Sequence, residues 1–357
     1  MEKIKVAVVG VGNIADVHIL RGYQKLPDFE LYALCDINEA RLNAKADRYG
    51  VKRRYTDIDV MLAEIADEID AVDVCVWNCH HASCAIKALN AGLHVFCEKP
   101  MAYNTAEAVA MKEAAEKAGK VLMIGFVTRY SNQGLIAKDM IDKGYLGDIY
   151  YAKAQYIRRH GNPGGWFADK SRSGGGPVID LGVHVIDFTR YMMGLPRPVS
   201  VYASVQNRLG SRPHLKNGAE WTPDDASDAD KVSVEDFGVA LIRFDNGAVT
   251  LLETTYDLNG ADVGSRQLFG TKAGLDLTDN KVKMFTECND YLADVNIITD
   301  NCKNGTDDAF KAELADFAAC VRGEKVCTAT ADDGIAVMKI LDAIYESGRT
   351  GHEVVID

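Results

Sequence analysis

The stretch Ile4-Lys5-Val6-Ala7-Val8-Val9-Gly10-Val11-Gly12-Asn13-Ile14-Ala15 decides the fold class. The run Ile4–Val9 is almost wholly apolar and rich in β-branched residues, as a buried strand requires, and the GxGxxA turn after it opens a helix. Gly10 permits the tight turn, Gly12 lets backbone approach a pyrophosphate, and Ala15 allows the helix to pack closely on the strand. Asn13 and Ile14 lie in the same turn, at a helix N-terminus whose unpaired amides and positive dipole end suit phosphate. Asp36 stands at the tip of the next strand, about 20 residues on, where a carboxylate can accept both ribose hydroxyls. That carboxylate would also repel a 2′-phosphate, which favours NAD over NADP, and Arg41 close by in sequence blurs the preference.

Working outward, the pattern of strand and crossover helix continues. Apolar runs at Phe29–Cys35, Val72–Trp77, His94–Cys97 and Val121–Ile124 alternate with Glu39–Tyr49, His81–Ala91 and Thr105–Ala118, where alanine and leucine recur at spacings of three and four. This predicts an α/β, doubly wound dinucleotide-binding domain over residues 1–125. Beyond it, Ile149–Arg158, Ser200–Gln206, Val234–Phe244 and Ala248–Tyr256 follow one another with few helices between them. Asp245-Asn246-Gly247 joins the last two, and Asn-Gly is a hairpin signal because it accepts positive φ at both turn positions. A second domain, 126–357, is therefore expected to be α+β with a mostly antiparallel open sheet. Two late helices, Ala309–Arg322 and Asp332–Ser347, could return to brace the first domain. The polar, turn-rich stretch Leu209–Asp230 reads as a mobile surface excursion or lid.

Composition narrows the function. At 357 residues with 47% hydrophobic side chains the chain can bury a sizeable core in two or more domains. A net charge of −12 gives no basic face for nucleic acid. There is no signal peptide and no run of about 18 apolar residues, so a soluble, cytoplasmic protein without membrane contact is expected. Nine cysteines are an odd number, best read as free thiols in a reducing compartment, and Cys35, Cys75 and Cys97 lie in apolar runs as packing residues. Cys79, His80, His81 and Cys84 do not match paired zinc-ligand spacing, so no metal is expected.

Two stretches carry chemistry. Glu98-Lys99-Pro100 follows the strand His94–Cys97 at the carboxyl edge of the sheet, where open α/β folds bind ligands, and an ammonium fixed there could stabilise a developing alkoxide. In Gly174-Gly175-Gly176-Pro177-Val178-Ile179-Asp180-Leu181-Gly182-Val183-His184, Asp180 and His184 are spaced i and i+4. On a helix they share one face, where the carboxylate can fix the tautomer of an imidazole acting as general base. Taken alone, the same spacing also describes a capped helix with an ordinary half-buried histidine. The triple glycine favours the base, because such a loop can pass close to a ligand.

With these motifs in place, the chain resembles the Gfo/Idh/MocA oxidoreductases over nearly its whole length. The resemblance rests on GxGxxA, on Ala91-Gly92-Leu93-His94-Val95-Phe96-Cys97-Glu98-Lys99-Pro100, on Gly125-Phe126 with Arg129, and on the GGGxxxDxGxH block. It implies that Lys99, Asp180 and His184 are the catalytic set. It also implies that Glu98 and Asn78 help seat the nicotinamide ribose, with Trp77, His81, Lys99 and Arg129 completing the cofactor surroundings. Relatives commonly read Thr-Pro-Asn-x-x-His where this chain reads Val76-Trp77-Asn78-Cys79-His80-His81, so Trp77 is a departure beside the cofactor. The implied activity is hydride transfer between nicotinamide and a secondary alcohol of a sugar, polyol, inositol or glycoside. Lys99, Tyr130, Tyr156, Arg158, Trp166, Asp180 and His184 are the candidate substrate contacts, with His160, Asp169 and Lys170 nearby. Trp166 suits a sugar face and a subunit interface equally. A homodimer or homotetramer through the second sheet is expected. Two alternatives stay open: a glycosidase of the same fold that uses bound NAD for transient oxidation, and a non-catalytic sugar or redox sensor.

Overall fold

The computed structural model describes residues 2–210, 212, 214–216, 222–226, 231–278, 281–300, 302 and 308–357. The chain divides into two compact units: Met1–Val127 with Ser171–Ser173 and Asp308–Met338, and Thr128–Lys170 with Gly174–Asp307 and Lys339–Asp357.

In the first unit β1 (Ile4–Val9), β2 (Phe29–Cys35), β3 (Arg53–Tyr55), β4 (Ala71–Val74), β5 (His94–Glu98) and β6 (Leu122–Gly125) form a parallel sheet in the order β3-β2-β1-β4-β5-β6. The strand order reverses beside β1, so the glycine turn lies at the switch point where such sheets take dinucleotides. The crossover helices start and stop on local chemistry. Asn38 caps Glu39–Tyr49 by accepting from Arg41 N, and Gly50, at φ 71°, ends it. Asn104 caps Thr105–Ala118 and Gly119, at φ 62°, ends it. β3 and the helix Ile58–Ile65, capped by Asp57, carry no strong sequence signal, because a three-residue, half-exposed strand has no readable period. Helix Ala309–Val321 belongs to this unit. Leu314 packs where a Cβ on Gly22 would stand, 2.1 Å from Leu314 Cδ1, and Phe317 meets Phe96 of β5 at 5.5 Å between ring centres.

The second unit is a nine-stranded sheet. β7 (Ile149–Ile157), β8 (Pro198–Gln206), β9 (Phe237–Phe244), β10 (Val249–Thr255), β11 (Val263–Gly270), β12 (Gly274–Asp276), β13 (Val282–Cys288), β14 (Tyr291–Ile297) and β15 (Val354–Val355) lie in the order β14-β13-β12-β11-β7-β10-β9-β8-β15. β7 and β10 run parallel and the other neighbours antiparallel, which makes the second sheet mostly antiparallel. One face packs on helices Asn132–Asp142 and Val183–Met192 through Ala137, Phe188, Met192, Ala152 and Leu268. Residues of opposite parity, Tyr202 and Leu241, are exposed and pair across β8 and β9, the period-two signature of a sheet with one open face.

Two turns correct the sequence reading. At Asp245-Asn246-Gly247 only Gly247 has positive φ (85°), and Asn246 instead accepts from Ala248 N with its side chain. A hairpin turn with both φ positive does occur at Asn289-Asp290, at 50° and 65°, between β13 and β14. Of the Leu209–Asp230 excursion, residues 211, 213, 217–221 and 227–230 lie outside the described residues. Among the described residues no helix is long and apolar enough to cross a membrane.

Candidate active site

The cofactor end is built from backbone. Gly10 has φ 87°, and a Cβ there would stand 2.6 Å from the Cys75 carbonyl oxygen, so only glycine lets the turn pass the end of β4. Around Gly12 nothing lies within 4 Å of the same point, leaving open space where a pyrophosphate is expected. Asn13–Val17 is α-helical and His18–Tyr23 continues it as a π-helical stretch. Asp36 is 4% exposed. Its carboxylate accepts from Val11 N and Asn38 N, both at 2.8 Å, which ties the tip of β2 to the glycine turn. Arg41 closes a two-pronged pair on the same carboxylate, with Nε 3.1 Å from Oδ2 and Nη2 2.9 Å from Oδ1. An open glycine turn next to an anchored ribose-length carboxylate fits a dinucleotide.

The loops at the carboxyl edge are interlocked. His81 is buried with Nδ1 2.6 Å from the Pro100 carbonyl and Nε2 3.1 Å from the Val76 carbonyl, and burial holds its pKa below the usual value. Both ring nitrogens therefore face backbone of the two loops. Asn78 is buried as well and donates to the Ser173 carbonyl at 2.7 Å. Trp77 is half-buried between the rings of His80 and the guanidinium of Arg172, 5.0 Å above it. Lys99 is half-buried, follows β5 directly, and gives its backbone N–H to Glu98 Oε2 at 3.0 Å.

In the second unit, Val178–Gly182 is a π-helical turn that runs into helix Val183–Met192. Asp180 stands on the first and His184 on the second. Asp180 is buried and accepts from the hydroxyl of Tyr256 at 2.8 Å. Tyr256 is fully buried, and burial followed by the Asp180 charge pushes its pKa well up, so it stays a donor. Arg158 donates to the Tyr156 hydroxyl at 3.3 Å and the Gly161 carbonyl at 3.2 Å, placing two of the expected substrate residues at one end of β7. His184 is half-buried, with its carbonyl accepting from Thr128 Oγ1 at 3.4 Å. Trp166 lies in the short turn Gly165–Ala168, its backbone N–H 3.4 Å from Asp225 Oδ1 and its ring against Phe167. Tyr130 is buried.

Two side-chain readings change. The triple glycine was expected to serve ligand approach. A Cβ on Gly175 would stand 1.9 Å from the Tyr345 hydroxyl, and one on Gly176 2.2 Å from the Glu235 carbonyl, so the protein's own atoms already exclude side chains there. Arg129, 1% exposed, makes a buried pair with Asp187 through Nε at 2.9 Å and Nη2 at 2.5 Å, and its guanidinium lies 4.5 Å from the Tyr191 ring centre. Those contacts anchor the helix that carries His184. Sequence reasoning missed Tyr256, because its role depends on a partner 76 residues away.

A family model described as an oxidoreductase family with an NAD-binding Rossmann fold matches residues 4–126, and the C-terminal domain model of the same family matches residues 135–276. The chain belongs to the Gfo/Idh/MocA oxidoreductases. Among curated members it is 33% identical to the D-glucoside 3-dehydrogenase of Escherichia coli over 360 residues, 98% of this chain and 97% of that one. It is 25% identical to the myo-inositol 2-dehydrogenase of Thermotoga maritima, over 80% of this chain and 75% of that one. Among solved structures, levoglucosan dehydrogenase in complex with NADH superposes with a TM-score of 0.84 at 25% identity, covering both chains completely. An oxidoreductase domain protein from Kribbella flavida superposes at 0.86 with 24% identity, again over both whole chains, which shows the shared fold. As a member of this family the chain is an NAD(P)-dependent oxidoreductase with a nucleotide-binding first domain.

Proposed function

We propose that this Gfo/Idh/MocA protein is an NAD-dependent dehydrogenase that oxidises a ring secondary hydroxyl of a sugar or glycoside, with Lys99, Asp180 and His184 as its catalytic set. The observation that carries the reading is the Asp180 carboxylate, buried and fixed by Tyr256 one turn before His184. A sensor has no use for a carboxylate so placed. Gly10, Gly12, Asn13 and Ile14 would hold the pyrophosphate and Asp36 the adenosine ribose. Bound there, the nicotinamide supplies the hydride acceptor.

The chain's own residues handle the proton and the charge. His184, its basicity supported by Asp180, takes the hydroxyl proton, and the Lys99 ammonium stabilises the negative charge that builds on the same oxygen. Tyr256 keeps Asp180 oriented by donating to it. The name of the 33%-identical relative favours a glucoside as substrate. Tyr156 and Arg158 supply hydroxyl-binding groups at the end of the open sheet. We assign self-association to the exposed face of that sheet, where Tyr202, Leu241, Phe285 and Leu292 meet water.

The test is formation of reduced nicotinamide from NAD with a panel of glucosides, aldoses and inositols. Stoichiometric NADH is expected, falling about 10²- to 10⁴-fold in His184→Ala. Wild-type turnover in that variant refutes the assignment of the base. Release of free sugar without net NADH would instead establish the NAD-assisted glycosidase.

A further inference from the structure

The first unit encloses a polar cluster that the reaction as described does not use. His18, fully buried at the start of the π-helical stretch, lies between two carboxylates: Nδ1 is 2.8 Å from Asp73 Oδ2 and Nε2 is 3.0 Å from Glu98 Oε1. The Tyr23 hydroxyl donates to Asp73 Oδ2 at 2.9 Å and the Cys75 thiol to Asp73 Oδ1 at 3.3 Å. Phe96 and Phe310 close the ring in at 5.4 and 5.9 Å between centres. Glu313, buried on helix Ala309–Val321, is close enough to feel the charges of Glu98, His18 and Asp73.

A neutral imidazole has one N–H and cannot donate to both carboxylates. Burial works against a charged ring, but the Asp73 carboxylate outweighs it and holds the His18 pKa well above the usual value. His18 is therefore an imidazolium that donates in both directions. Burial and then Glu98 push the pKa of Glu313 well up. The Nδ1 to Oδ2 distance of 2.8 Å is that of a hydrogen bond. Burial and Asp73 also raise the Cys75 thiol pKa.

The consequence runs outward through Glu98. One carboxylate oxygen is held by His18 and the other accepts the backbone N–H of Lys99 at 3.0 Å. Gly125 on the paired strand allows this, since a Cβ there would stand 3.3 Å from the Glu98 carboxyl carbon. We propose that His18 is a positioning residue for hydride transfer: through Glu98 it fixes the backbone that aims Lys99. This rests on the reading of Lys99 as catalytic. His18 itself is sealed from solvent and acts only through its neighbour.

The two amide side chains separate the two bonds. His18→Asn can keep a donor at the Nδ1 position, facing Asp73, but loses Glu98; His18→Gln can keep a donor at the Nε2 position, facing Glu98. Turnover at saturating NAD and glucoside should fall about 10- to 100-fold in His18→Asn, with KM for the glucoside and Kd for NAD within about 3-fold of wild type. His18→Gln should recover most of that loss. Equal turnover in the two variants, or wild-type turnover in His18→Asn while Lys99→Met is inactive, overturns the inference. Stoichiometric metal in the purified protein overturns it as well. Retained turnover in Lys99→Met would instead refute the catalytic reading of Lys99. Should both His18 variants fail to fold, Glu98→Gln reads the same link. A comparable loss of turnover at saturating NAD is expected, and an unchanged value overturns the proposal.

Discussion

Alanine at Gly175 asks what the triple glycine is for. The new Cβ would stand 1.9 Å from the Tyr345 hydroxyl oxygen, 2.6 Å from Cζ and 3.2 Å from Cε1. Ordinary contact lies near 3.5 Å, so the phenol must retreat by roughly 1.5 Å. That motion breaks the 2.9 Å hydrogen bond from Tyr345 to Glu235 Oε1. Glu235 is already held above the usual carboxyl pKa by burial, and it keeps the Val178 N–H at 3.1 Å. Overpacking costs about 1–3 kcal/mol and a weakened buried hydrogen bond about 1 kcal/mol more, giving a loss of about 2–4 kcal/mol. In a chain of this size that lowers Tm by roughly 3–5 °C. Thermal unfolding of Gly175→Ala, Tyr345→Leu and the double variant, without ligand, is the assay. The double variant should be no less stable than Tyr345→Leu alone, because the leucine leaves room for the methyl group. A Gly175→Ala protein that melts like wild type but has a raised substrate KM would refute the internal-packing account and restore ligand approach as the reason for the glycine.

The buried carboxyl of Glu313 makes stability depend on pH. Below about pH 4.5 both folded and unfolded chains carry it protonated; above that the unfolded chain ionises while the folded one resists, so wild type loses about 1.4 kcal/mol per pH unit until the raised folded pKa is reached. Glu313→Gln should therefore gain stability over wild type as pH rises from 5 to 8, and a Tm difference that stays flat across that range refutes the assignment. At the ribose end, Arg41 neutralises Asp36 through a partly exposed pair. Arg41→Ala should raise the ratio of NADP Kd to NAD Kd by about 5-fold, and Asp36→Ala should lower it, both read by titration; a ratio indifferent to both changes refutes the ribose role.

What the sequence made legible was chemistry carried by neighbours in the chain. The strand, glycine turn and helix of residues 4–17 and the alternation of apolar runs with helical periods need only local backbone, and all of the first sheet except β3 followed from them. β11 to β14 escaped notice because their outward faces are half-exposed and polar, so alternation is diluted. At the site, Asp180 and His184 were visible from their spacing, whereas His18 acquires its meaning from Asp73 and Glu98, 55 and 80 residues away. One signal was present: a titratable ring flanked by Val17, Ile19 and Leu20 is costly to bury without partners. The glycines were seen, but Tyr345 and Glu235, which crowd Gly175 and Gly176, were not, since a sequence shows that space is needed but not what fills it.

The first unit is closed by residues made late. Its sheet is complete by Val127, but the segment that covers Gly22 and Phe96 begins at Asp308, about 180 residues later. At ribosomal rates of about 5–20 residues per second, the nascent nucleotide-binding sheet waits roughly 10–40 s with that apolar face bare. During that interval the sheet is open to the association that exposed apolar surface invites.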